Sequence, residues 1–419
     1  MSKLRRILSV GAAVLALAGC SQRADRPPVE QAGDRVTGLT PVGSPITLFG
    51  PTADKLVSTS AVAGGRIFTA SGAWYEPFKM IAVDATTGAT AWDMGPVSTF
   101  DVNVGPMVFH GALLVGLRSR IEVRDPATGD LRWALPTTGH NAVVSDSVVA
   151  DVVDGGVTEG YDLATGRKLW TVPPPGGDRP VKQTGMRTGD EYSPEPGARR
   201  EIRISDGQLV QLTATGRVLL RDMATGKLVG DAPGGFRPGN STTLIGYQGT
   251  AYLGNTKEIL AADPATGKTR NFFTGTHPGL FPCGAELICV VSGGTMIAKR
   301  PDGTEAWRSP RADMHLFGTF RADRIAVRAI VGQALYTSDG EVLYENESQT
   351  DIGWIDDDNL LALVGVGGQG RVDIVAVAAE DGRATTIGTL PPVEPDCSWS
   401  DQVLACRDGT ELKIWKFTR

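Results

Sequence analysis

The chain has 419 residues, with 41 basic against 47 acidic side chains and a formal charge of -6. It is 41% hydrophobic and only 21% charged, with 53 glycines and 26 prolines, so it can bury a sizeable core and is not a disordered tail. The acidic balance disfavours nucleic acid as a partner and offers no basic face for anionic lipid.

The first 19 residues read as a secretory signal. Lys3, Arg5 and Arg6 precede an apolar run from Ile7 to Ala18, too short to span a bilayer. Leu17-Ala18-Gly19-Cys20 resembles a bacterial lipobox, which implies cleavage before Cys20 and lipidation of that residue. The resemblance implies an exported protein, held by lipid on the extracytoplasmic face of a bacterial membrane. Signal removal takes three of the 41 basic residues and no acidic ones, leaving 38 against 47, a charge of -9. Ser21 to Pro45 lacks strand periodicity, so residues 20–45 are expected to form a flexible tether reaching roughly 25 to 30 Å. The folded domain is expected over residues 46–419.

From there one pattern recurs. AVDATTGATAW (Ala82 to Trp92) returns as VRDPATGDLRW (Val123 to Trp133), GYDLATGRKLW (Gly160 to Trp170), LRDMATGKLVG (Leu220 to Gly230) and AADPATGKTRN (Ala261 to Asn271). Three shorter forms follow. The turn glycines are Gly88, Gly129, Gly166, Gly226, Gly267, Gly303, Gly340 and Gly382, spaced 41, 37, 60, 41, 36, 37 and 42 residues apart. A period near 40 marks stacked supersecondary units.

Each copy predicts a hairpin. Met80 to Asp84 alternates as a half-buried strand, Asp84 accepts hydrogen bonds from the turn backbone, Gly88 supplies a left-handed residue, and Thr90 to Met94 returns. Asp125 with Gly129, and Asp162 with Gly166, repeat the arrangement. A further pair of short strands precedes each hairpin, as in Ala142 to Val153 and Gly318 to Ile330. Four short strands per period predict the blades of an all-β propeller.

The spacing A-x-D-x-x-T-G-x-x-x-W resembles the tryptophan-docking motif of propellers of the pyrroloquinoline quinone (PQQ) type, over about residues 45 to 419. The resemblance implies that Trp92, Trp133 and Trp170 each pack one blade on the next. The chain is also similar in its lipobox, length and C-terminal three-strand closure to the propeller lipoproteins of the outer-membrane barrel-assembly machinery. Such proteins scaffold partners and catalyse nothing. Eight hairpins and a C-terminal segment from Cys397 to Phe417 give nine units literally; eight blades are expected, with one unit irregular and Ile46 to Pro51 as the closing outer strand.

Four cysteines pair by position. Cys283 and Cys289 flank one turn and Cys397 and Cys406 another, each between the first two strands of a unit, where antiparallel neighbours reach disulfide distance. Two disulfides are therefore expected, in keeping with export. A zinc site built from His277, Cys283 and Cys289 lacks a fourth soft ligand.

Readings that would supply chemistry are weaker. The PQQ-dependent dehydrogenases carry adjacent cysteines beneath the quinone, and this chain has no Cys-Cys pair. Gly365, Gly367 and Gly370 match a dinucleotide fingerprint, but an alternating strand pattern follows where a helix should. Asp356, Asp357 and Asp358 read as a solvated turn, and His110, His140, His277 and His315 fall in separate units. No enzyme, cofactor or metal is expected; the rival is a PQQ- or small-ligand-binding enzyme or sensor using the central funnel.

Two departures from the period point to a partner surface. Pro173 to Arg200 accounts for the 60-residue spacing and reads as a blade-to-blade connection, and Ala73 to Lys79 carries three aromatics. Trp74, Tyr75 and Phe78, with Arg179, Lys182, Arg187, Tyr192 and Arg199, are expected to form one surface that binds another envelope protein.

Overall fold

Alternation of apolar residues with turns every few residues leaves the backbone one economical way to satisfy its N–H and C=O groups, the antiparallel ladder. The computed structural model describes residues 35–48, 56–73, 77–99, 106–117, 120–136, 142–189, 191–192, 202–239, 241–309, 317–329, 332–348, 350–366, 371–390, 396–408 and 410–419. Among these residues there is no α-helix, and nearly every strand belongs to a four-stranded antiparallel unit.

In chain order, units 1 to 3 span residues 56–99, 106–136 and 142–172. Unit 4 joins Pro180–Arg187 to three strands within 208–233. Units 5 to 8 span 243–274, 279–308, 317–346 and 352–390. Unit 9 takes three strands from 396–418 and its outer edge from the N-terminal Gly38–Pro41 and Ile46–Thr47. The expected hairpin of unit 1 appears as Pro77–Asp84 and Thr90–Thr99.

Apolar faces pack unit on unit around a closed circuit. Phe68 and Met80 of unit 1 meet Leu113 and Val115 of unit 2. At the seam, Leu361 and Ile374 of unit 8 meet Leu404 and Phe417 of unit 9, and Ala405 and Ile414 of unit 9 meet Ile67 and Val83 of unit 1. The fold is thus the expected propeller. The described strands make nine four-stranded units, one more than the eight expected, because the C-terminal unit is complete and no other unit is short. The closing strand also begins earlier than expected: Gly38–Pro41, inside the stretch read as tether, pairs with Glu411–Thr418. Leu39 packs into the seam between units 8 and 9.

The recurring turn is held as the sequence implies. Asp84 Oδ1 accepts from the N–H groups of Thr86 and Thr87 and from the Thr87 hydroxyl at 2.8–3.0 Å. Asp125 caps its turn through Ala127 N–H, and Asp162 through Thr165 N–H and hydroxyl. These bonds, led by the Thr87 N–H at Asp84, the Arg132 guanidinium at Asp125 and the Thr165 hydroxyl at Asp162, hold the three carboxyls below the usual aspartate range.

Each docking tryptophan lies on the turn of the following unit. Trp92 donates to Pro126 O at 3.2 Å, Trp133 to Leu163 O at 2.9 Å, Trp170 to Met223 O at 2.8 Å and Trp307 to Ser338 O at 2.8 Å. The indole needs a surface without a side chain. Gly166 has φ +70°, and a Cβ there would stand 2.5 Å from Trp133 Cγ; Gly129 makes the same allowance for Trp92 and Gly226 for Trp170. Gly88 instead receives the backbone of Val42 and Gly43, so the N-terminal segment docks unit 9 on unit 1.

Truncation of Trp133 to Ala removes that bond, the cover on Gly166 and the stacking on Tyr161 at 6.2 Å. It should cost about 3 kcal/mol in urea unfolding. Leu131→Ala, on the same strand but half exposed, should stay within about 0.5 kcal/mol. Equal losses at the two positions would contradict the docking role.

Candidate functional site

The 60-residue spacing has a different origin from the one expected. Pro180–Arg187, within the stretch read as a loop between blades, is the first strand of unit 4 and pairs with Gln208–Thr213. Its polar run hid it: Gln183 is buried because Gln211 Nε2 donates to its Oε1 at 3.3 Å. The extra chain lies instead between the first and second strands of unit 4, from Thr188 to Gly207.

That excursion visits the first strands of three other units. Met186 and Arg187 pair in parallel with Gly246 and Tyr247 of unit 5, and Tyr247 OH donates to Gly189 O at 3.4 Å. Glu191 and Tyr192 then pair with Arg321 and Phe320 of unit 7. Ile202–Ile204 comes back parallel to Ala142–Val144 of unit 3. Asp206 closes the root, accepting from Thr188 N–H at 2.6 Å and lying 3.4 Å from Arg187 Nε. First strands of different units can bond to one another only where the units converge, around the central opening. Glu191–Tyr192 therefore lies across the opening from units 4 and 5, against unit 7, and Ile202–Ile204 lies against unit 3.

This placement bears on the expected partner surface. The connection from Ala73 to Pro77 leaves unit 1 where its second strand meets its third. The excursion leaves unit 4 at the other end, with the first-to-second turns, which bond to the third-to-fourth turns through Ala85 N–H to Gly65 O and Met223 N–H to Gly207 O. The described roots of the two features therefore leave their units at opposite ends. Arg179 sits beneath Gly156, Lys182 is half-buried opposite Leu212, and Arg187 leans on Asp206. Tyr192 is taken up in the pairing with unit 7, and Phe78 lies in a strand opposite Val97. Trp74, Tyr75, Arg199 and Cys20 lie outside the described residues.

The remaining candidates take structural places. Cys283 is bonded to Cys289 and Cys397 to Cys406, with Cα atoms 5.6 and 4.1 Å apart, as expected. Asp356 accepts from Asp358 N–H and Asn359 Nδ2 at 2.9 Å, and Asp357 pairs with Arg321 at 3.0 Å, within a turn of unit 8. Arg371–Ala378 after the glycine-rich segment is a strand, as its alternation implies. His110 and His277 occupy turns at positive φ, and His140 and His315 lie outside the described residues.

Sequence reasoning missed two groups of buried polar residues. Arg124, just before the turn aspartate of unit 2, is held by Glu122 and donates to Gly129 O at 2.7 Å; Arg221 of unit 4 donates to Gln211 Oε1 and Gly226 O. The Arg-Asp dipeptide before each turn was the available signal. The second is Asp151, in the second strand of unit 3, fully buried with Oδ1 accepting from Val152 N–H and Oδ2 without a partner. Burial pushes its carboxyl up to about 7 against that one opposing bond. It lies opposite Glu159 across the pairing of the second and third strands, and among the described residues no metal-holding cluster includes it.

The family model for outer membrane protein assembly factor BamB matches residues 78–307, from the third strand of unit 1 to the last of unit 6. The chain belongs to this family. Among solved structures it is similar to BamB from Moraxella catarrhalis, at 17% identity over 91% of this chain and 98% of that one, with a TM-score of 0.46. It is also similar to the computationally designed Ika8 protein, at 16% identity over 84% and 98% of the two chains, with a TM-score of 0.49. No curated protein matches the sequence.

For this BamB-family chain, the raised Asp151 sets a pH test. Between about pH 4 and 7 the native carboxyl keeps a proton that the unfolded chain releases, so its contribution falls as pH rises and levels off above 7. The difference is on the order of 4 kcal/mol. Urea unfolding across pH 4.5 to 8 should show wild type losing stability relative to Asp151→Asn over that window. Parallel profiles would contradict it.

Proposed function

We propose that the chain is a non-catalytic cell-envelope lipoprotein that holds another envelope protein on its ring, as a scaffold or subunit in envelope assembly. The observation that carries this reading is the chain's own crossing of its central opening. The place where a funnel ligand or quinone would enter is spanned by residues bonded to the first strands of units 3, 5 and 7. Family membership points the same way, through the description of the family as an outer membrane assembly factor.

Anchoring through lipid on Cys20 suits the role. The two disulfides favour an exported location, because such bonds persist in oxidising compartments. With the mature chain at -9, lipid and not charge would hold it at the bilayer. Partner contact would then use the ends of the units. Trp74, Tyr75 and Phe78, in and after the second-to-third-strand connection of unit 1, supply the aromatic character that binding hot spots favour.

Purification of the lipidated full chain from its own membrane tests this reading. A stoichiometric membrane-protein partner should be recovered, and Trp74→Ala with Tyr75→Ala should lower its recovery by at least tenfold with the melting temperature unchanged. Added PQQ and calcium should yield no alcohol or aldose oxidation. Turnover under those conditions, or recovery of the bait alone, would overturn the proposal.

A further inference from the structure

The cations that end the third strands of alternate units are not equally satisfied. Arg124 in unit 2 has Glu122 and Gly129 O; Arg221 in unit 4 has Gln211 and Gly226 O. Lys299 holds the same position in unit 6. Among the described residues its ammonium has neither a hydrogen bond nor an ion pair, and lies 5.3 Å from the centre of the Phe272 ring and 5.7 Å from that of Phe273.

A second cation shares that ring. At the junction of units 5 and 6 the docking tryptophan is replaced by Asn271, and buried Phe272 fills the gap. Arg270, exposed and also without an ion pair among the described residues, places Cζ 5.8 Å from the Phe272 centre and Nη1 beside the Gly303 turn. Arg308 of the adjoining strand completes the group and is neutralised by Glu305, which takes Nη2 at 2.8 Å and Nε at 3.2 Å. Burial, then repulsion from Arg270 and Arg308, hold the Lys299 ammonium below the usual lysine range, with Glu305 opposing. Two positive charges thus share the Phe272 ring; Glu305 attracts Lys299 and Asp302 attracts Arg270, and the further cations Arg308 and Arg300 offset those two carboxylates.

We propose that the outer junction of units 5 and 6 binds a phosphate-class dianion between Arg270 and Lys299. A dianion matches two unit charges, and its tetrahedral oxygens can serve a planar guanidinium and a point-charge ammonium at once. A carboxylate brings only one charge and two oxygens. The aromatic rings hold both cations in place before the ligand arrives, which lowers the cost of ordering them.

The test titrates the full chain with inorganic phosphate, acetate and glycerophosphoglycerol at constant ionic strength, following melting temperature and phosphorus NMR line width. Saturable phosphate binding at least tenfold tighter than either monoanion is expected. Arg270→Gln with Lys299→Gln should abolish it, Lys299→Arg should retain it, and Lys227→Gln on another unit should leave it unchanged. If the double variant fails to fold, the Lys299 side-chain carbon resonance in wild type decides, and should move with phosphate along the same saturation curve. Equal response to all three anions, or phosphate binding that survives in a folded double variant, would overturn the site.

Discussion

An indole laid on a side-chain-free turn organises this protein. Each docking tryptophan caps a carbonyl of the next unit and covers a glycine that can carry no Cβ. The contact sets the spacing between neighbouring sheets, and the apolar faces behind it then fill with Val, Leu and Ala. Where tryptophan is missing, other devices keep the distance. At unit 4 the backbone itself docks, Asp231 N–H donating to Pro264 O at 2.8 Å beside Gly230. At unit 5 Phe272 and Arg270 take the place of the indole, and the loss of a neutral docking group leaves the cationic junction behind.

Once spacing is fixed, closure follows from the ends of the chain. Gly38–Pro41 and Ile46–Thr47 complete unit 9, and the segment between them seats on the turn of unit 1. With nine units in the circuit, the first strands leave room at the centre for more chain. The excursion between the first two strands of unit 4 uses that room, adding Ile202–Ile204 to unit 3 and Glu191–Tyr192 to unit 7. A ring whose opening is spanned in this way leaves its ends and rim as the surfaces that the proposed scaffold role would use.

Local features of this architecture were legible in the sequence. The Asp-x-x-Thr-Gly turns, the tryptophans four residues on and both cysteine pairs depend on residues close together in the chain, and their spacing carries the geometry. What escaped was non-local or polar. Gly38–Pro41 has one apolar side chain to mark it, and Pro180–Arg187 carries Lys182, Gln183 and Thr184 in a strand whose buried amide is satisfied from Gln211. Nothing in Glu191-Tyr192 announces a partner strand more than a hundred residues away. The end of unit 4 from which the excursion emerges was hidden for the same reason. The unpaired Arg270 and Lys299 became visible only against Arg124 and Arg221, whose partners the fold supplies.

The crossing of the opening is the claim on which the functional account turns, and a cross-link reads it directly. Glu191 and Arg321 are opposed across the pairing of the excursion with unit 7. With Glu191→Cys and Arg321→Cys introduced together, a short bis-maleimide reagent should join the two positions in high yield in the folded protein, detected as one linked peptide by mass spectrometry. Absence of that peptide, with both new thiols modified singly and the fold intact, would mean that the opening is free, and would contradict the account.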